Sequence, residues 1–203
     1  MRDDLAAAAG RHVSRETLGR LERYVDLLRE ESTRQNLVSA ATLKDVWERH
    51  IIDSAQLLKF EPSRRTSWVD LGTGAGLPGL VIACIAEGPV TLVEPRRLRA
   101  DFLHRVIREL RIGATVICGK AERVSGHFDV ITARAVAPLA RLFEISQHLS
   151  TGKTVWVLPK GRAAASELAD AERTWQGTFH VERSVTDPES YIVVGTGVRA
   201  KAS

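Results

Sequence analysis

One segment constrains the fold of this chain more than any other: residues 69–79, with the sequence VDLGTGAGLPG. A short apolar stretch of strand character leads into three glycines at alternate positions, and an apolar run at 80–86 follows them. Glycine allows positive φ and lets a ligand approach the backbone closely, and the start of a helix presents free N–H groups and a partial positive charge. We therefore predict a strand–loop–helix unit that binds a negatively polarised, nucleotide-like ligand.

The chain beyond this unit alternates in the same way. Near-continuous apolar runs predict further strands, and stretches of helical composition separate most of them, which is typical of a mainly parallel sheet covered on both faces. The last two predicted strands are joined only by a turn and should form an antiparallel hairpin at one edge. The predicted strands are 68–71, 90–94, 115–118, 128–133, 154–158, 179–185 and 191–196, and the predicted helices start near residue 96 and span 138–148 and 163–175. The fold class is α/β, a doubly wound domain.

The first 65 residues have a helical pattern, and we predict that they pack as an extension on the α/β domain formed by residues 66–203. One helix has an apolar face with residues spaced by three and four positions, and Ser14 is placed to cap it. Its apolar residues are Leu18, Leu21, Val25 and Leu28. A second helix is predicted from Thr42, where TLKD has the spacing of a capping box, to Leu58. Residues 34–38 connect the two.

Composition excludes several classes of protein. The 203 residues are 44% hydrophobic and include two cysteines, Cys84 and Cys118, each inside an apolar run. We predict that both are small core residues, which excludes a disulfide scaffold and a four-cysteine zinc site. No apolar run approaches the roughly 18 residues that a membrane span needs, and the N-terminus lacks the pattern of a secretory signal. We expect a soluble, cytoplasmic protein.

The net charge of the chain is +4, and a single stretch has an excess of basic over acidic residues of the same size. Between Arg96 and Arg111 there are six arginines and two acidic residues, Asp101 and Glu109. Such a run is either the solvated face of a helix or a basic stripe that contacts phosphates. Both interpretations stay open from the sequence.

Two carboxylates distinguish between the ligands that fit the glycine loop. A dinucleotide loop normally has the spacing G-x-G-x-x-G, whereas Gly72, Gly74 and Gly76 alternate strictly. Asp70 lies two residues before the first glycine, where it would repel a pyrophosphate but attract a sulfonium or an ammonium group. Glu94 ends the next strand, where a carboxylate can accept both hydroxyls of a ribose. We therefore predict S-adenosylmethionine as the cofactor, bound by these five residues, and we expect no metal.

The same loop resembles motif I of class I S-adenosylmethionine methyltransferases. Its continuation, Leu77-Pro78-Gly79, resembles the RsmG (GidB) family of bacterial 16S ribosomal RNA guanine-N7 methyltransferases. Four further segments match the family in the same order along the chain: 35–39 (QNLVS), 49–54 (RHIIDS), 134–135 (RA) and 158–161 (LPKG). The likeness covers nearly the whole chain, and it implies the class I, Rossmann-like methyltransferase fold.

The resemblance also implies roles for individual residues. Gly72 and Leu77 match cofactor contacts in the loop, Ala121 and Glu122 match a pair at the adenine, and Arg134 matches a cofactor-site arginine. The implied substrate is N7 of a guanine in 16S RNA of the small ribosomal subunit, by resemblance guanine 527 in the 530 loop. No obligate protein partner is expected.

Four residues are candidates for contact with the RNA: His50, Arg97, Lys160 and Arg162. Family members often carry a basic pair at the start of the helix after Glu94, and here one basic position is shifted. Each candidate also has a plainer interpretation. His50 fits a hydrogen-bonded core histidine, Arg97 a solvated helix face, and Lys160 with Arg162 a solvated turn.

Guanine N7 carries an in-plane lone pair, so its methylation requires positioning rather than a general base. We therefore assign no catalytic acid or base. One alternative is an S-adenosylmethionine-dependent methyltransferase that acts on another RNA or on a small molecule. A second alternative is a non-catalytic RNA-binding protein with the same fold. The basic stretch favours a nucleic acid as substrate, and the intact glycine motif favours an enzyme.

Overall fold

The structure is a computed structural model that describes residues 1–202. Seven strands form one sheet in the order β3-β2-β1-β4-β5-β7-β6. They are β1 (Trp68–Leu71), β2 (Val90–Val93), β3 (Ala114–Ile117), β4 (Val130–Thr132), β5 (Val155–Lys160), β6 (Trp175–Arg183) and β7 (Tyr191–Ala200). Strands β1 to β5 are paired in parallel, and β7 pairs antiparallel with both β5 and β6. The predicted sheet with its antiparallel C-terminal hairpin is confirmed.

The helices occupy both faces of this sheet. They are α1 (Arg2–Ala9), α2 (Arg15–Ser32), α3 (Ala40–Lys44), α4 (Asp53–Ala55), α5 (Gly79–Ile85), α6 (Arg97–Leu110), α7 (Leu139–Ser146) and α8 (Ala164–Ala171). Because side chains of a strand alternate between faces, Trp68 of β1 joins one apolar core and Val69 joins the other. The N-terminal helices share the first core with α5 and α6, whereas α7 and α8 cover the second.

The predicted second helix of the N-terminal segment differs from the observed chain. Ser39, not Thr42, caps α3, because the Ser39 hydroxyl accepts a hydrogen bond from the Thr42 N–H at 3.2 Å. That helix ends at Lys44, and a π-helical turn (Trp47–Ile52), α4 and a 3₁₀ turn (Gln56–Phe60) continue the chain. The prediction of one helix to Leu58 is therefore wrong. Apolar periodicity predicted helical structure here but does not encode the wider π turn, a feature that often occurs at functional sites.

The predicted cap of the first helix is confirmed. The Ser14 hydroxyl accepts a hydrogen bond from the Thr17 N–H at 3.0 Å at the start of α2. This helix also reaches the glycine loop, since the buried Tyr24 hydroxyl donates to the Ala75 carbonyl at 2.9 Å. The N-terminal segment thus supports the loop directly.

The two cysteines have different environments. Cys84 is buried in α5, as predicted, but Cys118 is exposed. The prediction for Cys118 is wrong because it follows β3, the outer strand of the sheet, where one side lacks a neighbouring strand. Among residues 1–202, no helix is long and apolar enough to cross a membrane.

Candidate cofactor and substrate site

The site lies at the carboxyl edge of the parallel strands, next to the point where the strand order reverses between β1 and β4. Open α/β sheets bind ligands at such a switch point, because the loops after the two strands run in opposite directions and leave a crevice. Of the cofactor residues predicted from the sequence, Asp70 lies near the end of β1 and the others follow one of β1 to β4. These residues are Asp70, Gly72, Gly74, Gly76, Leu77, Glu94, Ala121, Glu122 and Arg134.

The loop after β1 needs its glycines for conformation and for space. Gly72, Gly74 and Gly76 have φ of +65°, +59° and +96°, a region that side chains disfavour. A Cβ on Gly72 would also lie 2.7 Å from Cγ2 of Val136, which belongs to the loop after β4. Any side chain at Gly72 would therefore fill the space between the loops after β1 and β4, the space that a ligand at the switch point has to enter.

Asp70 lies beneath this loop and is fully buried. Its Oδ2 accepts hydrogen bonds from the Thr73 hydroxyl and, at 2.8 Å, from the Gly79 N–H at the start of α5. Burial raises the pKa of Asp70 to about 7, although both hydrogen bonds oppose the shift. Oδ1 has no hydrogen-bond partner among the described residues. Asp70 thus holds the loop in shape, and its contact with the cofactor stays a prediction.

Glu94 lies at the end of β2 and is 3% exposed. Its Oε2 accepts a hydrogen bond from the Gly74 N–H at 2.9 Å, and its Oε1 accepts one from the Arg96 N–H at 2.8 Å. A carboxylate has about four lone-pair sites, so each oxygen can still accept one hydroxyl. The carboxylate is fixed beside the glycine loop, as a ribose-binding group would need to be. These groups fit S-adenosylmethionine.

The remaining predicted cofactor residues follow β1, β3 and β4 at the same edge of the sheet. Leu77 is buried at the end of the loop. Ala121 and Glu122 form a 3₁₀ turn after β3, and the exposed Glu122 lies 3.8 Å from the Arg141 guanidinium. Arg134 directly follows Ala133 after β4, and the next residue, Ala135, has φ of +56°. A non-glycine residue in this region is uncommon and often marks a functional loop.

A cavity of about 650 Å³ opens beside Arg134. Its walls are the π-helical turn and α4, the loop after β4, the end of β5 and the turn between β6 and β7. The polar residues that line it are Thr42, Arg49, His50, Asp53, Arg134, Lys160, Glu167, Ser184, Thr186, Asp187, Ser190 and Tyr191. Cavities of this size hold ligands as large as a nucleotide. Arg134 belongs both to the cavity and to the set of predicted cofactor residues, so the two sites are neighbours.

His50 is 8% exposed and lines this cavity. Neither of its ring nitrogens has a hydrogen-bond partner within the described part of the chain. The ring is therefore buried, as a core histidine would be, but its nitrogens are not held by a hydrogen bond of normal geometry. Burial, with the nearby Arg134 and Arg49 guanidinium groups, lowers the pKa of His50 to about 4. The imidazole is consequently neutral at pH 7.

The other candidate RNA residues separate into two groups. Lys160 lines the cavity with a largely buried side chain, and its Nζ donates to the Ala137 carbonyl and pairs with Glu167, both at 2.9 Å. It is not part of a plain solvated turn. Arg162 is exposed and pairs with Glu189, and Arg97 is exposed on α6, 3.0 Å from Asp101. Arg97 and Arg162 lie outside the cavity lining.

One arginine and one glutamate of α6 pair with oppositely charged side chains of α2. Arg105 pairs with Glu31 at 2.7 Å, and Glu109 of the same helix pairs with Arg23. Arg99 donates to the Asn36 carbonyl at 3.1 Å. These contacts favour the interpretation of α6 as a helix that packs against α2 over the interpretation as a continuous basic stripe.

Sequence reasoning missed most of the cavity. Asp53, Ser184 and Thr186 form one hydrogen-bonded group, although about 130 residues separate Asp53 from the other two. No local pattern reveals such a contact. Asp53 was visible only as part of the RHIIDS segment, which carried the family resemblance without a role for this residue.

The fold is similar to that of several solved structures. A complex of a variant of MtNAS with S-adenosylmethionine has a TM-score of 0.60 and 19% sequence identity, over 88% of this chain and 74% of that one. The ribosomal protein L11 methylase from Lactobacillus delbrueckii subsp. bulgaricus has a TM-score of 0.58 and 14% identity, and the match covers 76% of this chain and 79% of that one. The fold is that of class I S-adenosylmethionine methyltransferases.

The family model GidB, described as rRNA small subunit methyltransferase G, matches residues 17–190. Proteins named ribosomal RNA small subunit methyltransferase G are similar over most of the chain. The one from Novosphingobium aromaticivorans is 50% identical over 191 residues, 91% of this chain and 82% of that protein. The one from Sphingopyxis alaskensis is 48% identical over 187 residues, which cover 91% of this chain and 80% of that protein. The chain belongs to the rRNA small subunit methyltransferase G (GidB) family.

Proposed function

We propose that this protein transfers a methyl group from S-adenosylmethionine to N7 of a guanine in 16S ribosomal RNA. The proposed target is guanine 527 in the 530 loop of the small subunit, as the resemblance implies. The match of the family across residues 17–190 carries the proposal for the class of substrate. The juxtaposition of the glycine loop with a polar cavity supports a reaction between a bound cofactor and a second bound group.

The proposed cofactor site consists of the nine residues at the carboxyl edge of β1 to β4. The loop backbone at Gly72, Gly74 and Gly76 would lie against the cofactor, with Leu77 at the end of the loop. Glu94 would accept the ribose hydroxyls, and Ala121 with Glu122 would lie at the adenine. Asp70 and Arg134 would flank the methionine portion, Asp70 through its free Oδ1.

Methylation of N7 depends on how the protein positions the base relative to the cofactor. When bound, S-adenosylmethionine supplies an activated methyl group, which the in-plane lone pair of N7 can accept directly without a general base. The protein has to hold N7 in line with that group at about 3 to 3.5 Å. The rigid hydrogen bonds of Glu94 and Asp70 fix one side, and the walls of the cavity fix the other. Neutral His50 adds no positive charge to a base that becomes cationic.

The target base has to leave its stack in order to reach this position. Enzymes that modify bases hold such a splayed base in a pocket by stacking and by hydrogen bonds to its edges. The cavity beside Arg134 is the proposed pocket, with His50 and Lys160 as contacts to the nucleotide. Arg97 and Arg162, which are exposed outside it, are proposed to contact phosphates.

A transfer experiment tests this function. Purified protein is mixed with methyl-labelled S-adenosylmethionine and with unmodified 16S RNA, small subunits, other RNAs or small nucleophiles, and the label is mapped by nucleoside analysis. We expect N7-methylguanosine at one ribosomal position. Label on another RNA or on a small molecule would show that the proposed substrate is wrong and would identify a different one. Cofactor binding without transfer to any of them would contradict the proposed reaction and favour a binding protein. Cytoplasmic location and independence of protein partners stay predictions.

A further inference from the structure

We propose that Asp53 selects guanine by accepting hydrogen bonds from the N1–H and the N2 amino group of the target base inside the cavity. This inference rests on the proposed function, because it assumes a guanine substrate. It assigns a specificity-determining role to a residue that the sequence reasoning left without one.

The position of Asp53 is fixed by four other residues. Its Oδ1 accepts hydrogen bonds from Gln56 Nε2 at 2.9 Å, from the Thr186 hydroxyl at 2.9 Å and from the Ser184 hydroxyl at 3.3 Å. Its Oδ2 has one partner within residues 1–202, Nη1 of Arg134, at the long distance of 3.4 Å. The carboxylate is thus held rigidly through one oxygen, while the other oxygen keeps capacity to accept hydrogen bonds.

The cavity also contains polar atoms that lack partners. His50 lies three residues before Asp53, is more than nine-tenths buried, and has two ring nitrogens without a hydrogen bond within the described residues. An unpartnered buried polar group is destabilising, so natural proteins rarely keep one without a reason. A ligand with both donors and acceptors would satisfy His50 and the free oxygen of Asp53 together. A nucleobase is such a ligand.

Among the RNA bases, guanine alone presents two adjacent donors, N1–H and the N2 amino group, on its Watson–Crick edge. A carboxylate accepts from both, whereas the N1 of adenine is an acceptor and would face the negative charge. N7 lies on the opposite side of the purine. A guanine held through its N1 and N2 groups therefore leaves N7 free to face the neighbouring cofactor site beyond Arg134.

The same hydrogen bonds should strengthen during the reaction. As N7 gains the methyl group, the purine becomes positively charged and its N1–H becomes a stronger donor. An interaction that is stronger in the transition state than in the ground state raises kcat and not only the affinity. Asp53 should therefore affect kcat as well as KM.

Replacing the target guanine by inosine tests the contact, since inosine lacks only the N2 amino group. The substrates are small subunits reconstituted with 16S RNA that carries guanine or inosine at the methylated position. For the wild-type protein we expect kcat/KM to fall about ten- to a hundredfold with inosine, the range for a hydrogen bond to a charged group. Equal rates on the two substrates would overturn the proposal, and this comparison requires no variant.

The variant Asp53→Asn connects the effect to this residue. The amide oxygen should take the place of Oδ1, which three donors occupy, so the amide NH₂ would replace Oδ2 and face the donors of the base. We expect a lower kcat on guanine and a guanine-to-inosine ratio within about twofold of one. Asp129→Asn is the control, because Asp129 lies outside the cavity lining and its carboxylate accepts hydrogen bonds from the N–H and the hydroxyl of Ser67. It should retain the wild-type ratio.

Binding measurements separate this inference from the proposed function. Anisotropy of labelled small subunits gives the affinity for both substrates without turnover, and calorimetry gives the affinity for S-adenosylmethionine. Intact cofactor binding with an unchanged guanine-to-inosine ratio in Asp53→Asn would overturn the role of Asp53 alone. No methylation of the guanine substrate by the wild-type protein would overturn the proposed function itself.

Discussion

The glycine loop and the neighbouring cavity lie at the same edge of the sheet, yet they differ in how their polar groups are satisfied. Around the loop, Asp70 and Glu94 accept backbone N–H groups, and Tyr24 donates to the loop from α2. In the cavity, His50 lacks partners among the described residues, and Asp53 meets Arg134 only at 3.4 Å. The loop is thus tied by hydrogen bonds to its own backbone, although Asp70 Oδ1 also lacks a partner, whereas in the cavity both ring nitrogens of His50 lack partners within the described residues.

The largest expected effect comes from filling the space at Gly72. We expect Gly72→Asp to abolish binding of S-adenosylmethionine in calorimetry while the circular dichroism spectrum stays that of the folded protein. A Cβ at this position meets Val136 at 2.7 Å and closes the gap between the two loops. Gly113→Asp is the matched control, since nothing lies within 4 Å of a Cβ there. If Gly72→Asp bound S-adenosylmethionine with wild-type affinity, the loop would not be part of the cofactor site.

A smaller loss is expected from Glu94→Gln. The amide group would place its NH₂ against the N–H of either Gly74 or Arg96, and it would lose the charge that favours the ribose hydroxyls. We expect the Kd for S-adenosylmethionine to rise about ten- to a hundredfold. The exposed Glu87 supplies the control Glu87→Gln, for which the calorimetric Kd should not change. A Kd for Glu94→Gln within twofold of wild type would argue against a ribose contact.

Two buried groups, one in each region, should give pH effects of opposite sign. The raised pKa of Asp70, about 7 against 3.8, means that its contribution to the free energy of unfolding is present below about pH 4 and lost as pH rises to about 7. The lowered pKa of His50, about 4 against 6.5, means that its contribution is present above pH 6.5 and lost as pH falls towards 4. Each unit of difference in pKa is worth about 1.4 kcal/mol.

Urea unfolding between pH 4 and pH 8 measures both effects as differences between wild type and variant. Relative to Asp70→Asn, the wild-type protein should lose stability as pH rises through this range. Relative to His50→Gln, it should gain stability up to about pH 6.5. Differences that do not vary with pH, or that have the same sign, would contradict the environments described for these two groups.

The smallest effect is expected from the contact between α2 and the loop. Tyr24→Phe removes one buried hydrogen bond to the Ala75 carbonyl, so we expect the free energy of unfolding to fall by about 1 kcal/mol. Binding of S-adenosylmethionine should weaken by a few-fold as the loop loses support. Tyr191→Phe, on the cavity side, should leave that Kd unchanged. If both variants bind the cofactor equally well, the N-terminal segment does not support the loop.

The same difference between the two regions explains what the sequence could predict. The strands, the glycine loop and Glu94 follow from patterns that span a few residues, because one short unit places strand, loop and helix together. The cavity combines His50, Arg134, Lys160 and Thr186, which the topology brings together only after β7 inserts between β5 and β6. The π turn that carries His50 has no distinct apolar period either, so the sequence predicted an ordinary helix instead.

The separation of the two regions is tested most directly by measuring cofactor affinity and methyl transfer on one preparation of a His50→Ala variant. His50 lines the cavity and makes no hydrogen bond to the glycine loop. We expect the calorimetric Kd for S-adenosylmethionine to stay within about twofold of wild type while transfer to small subunits falls at least tenfold. A loss of cofactor affinity that equals the loss of transfer would contradict the division into a cofactor loop and a base-binding cavity.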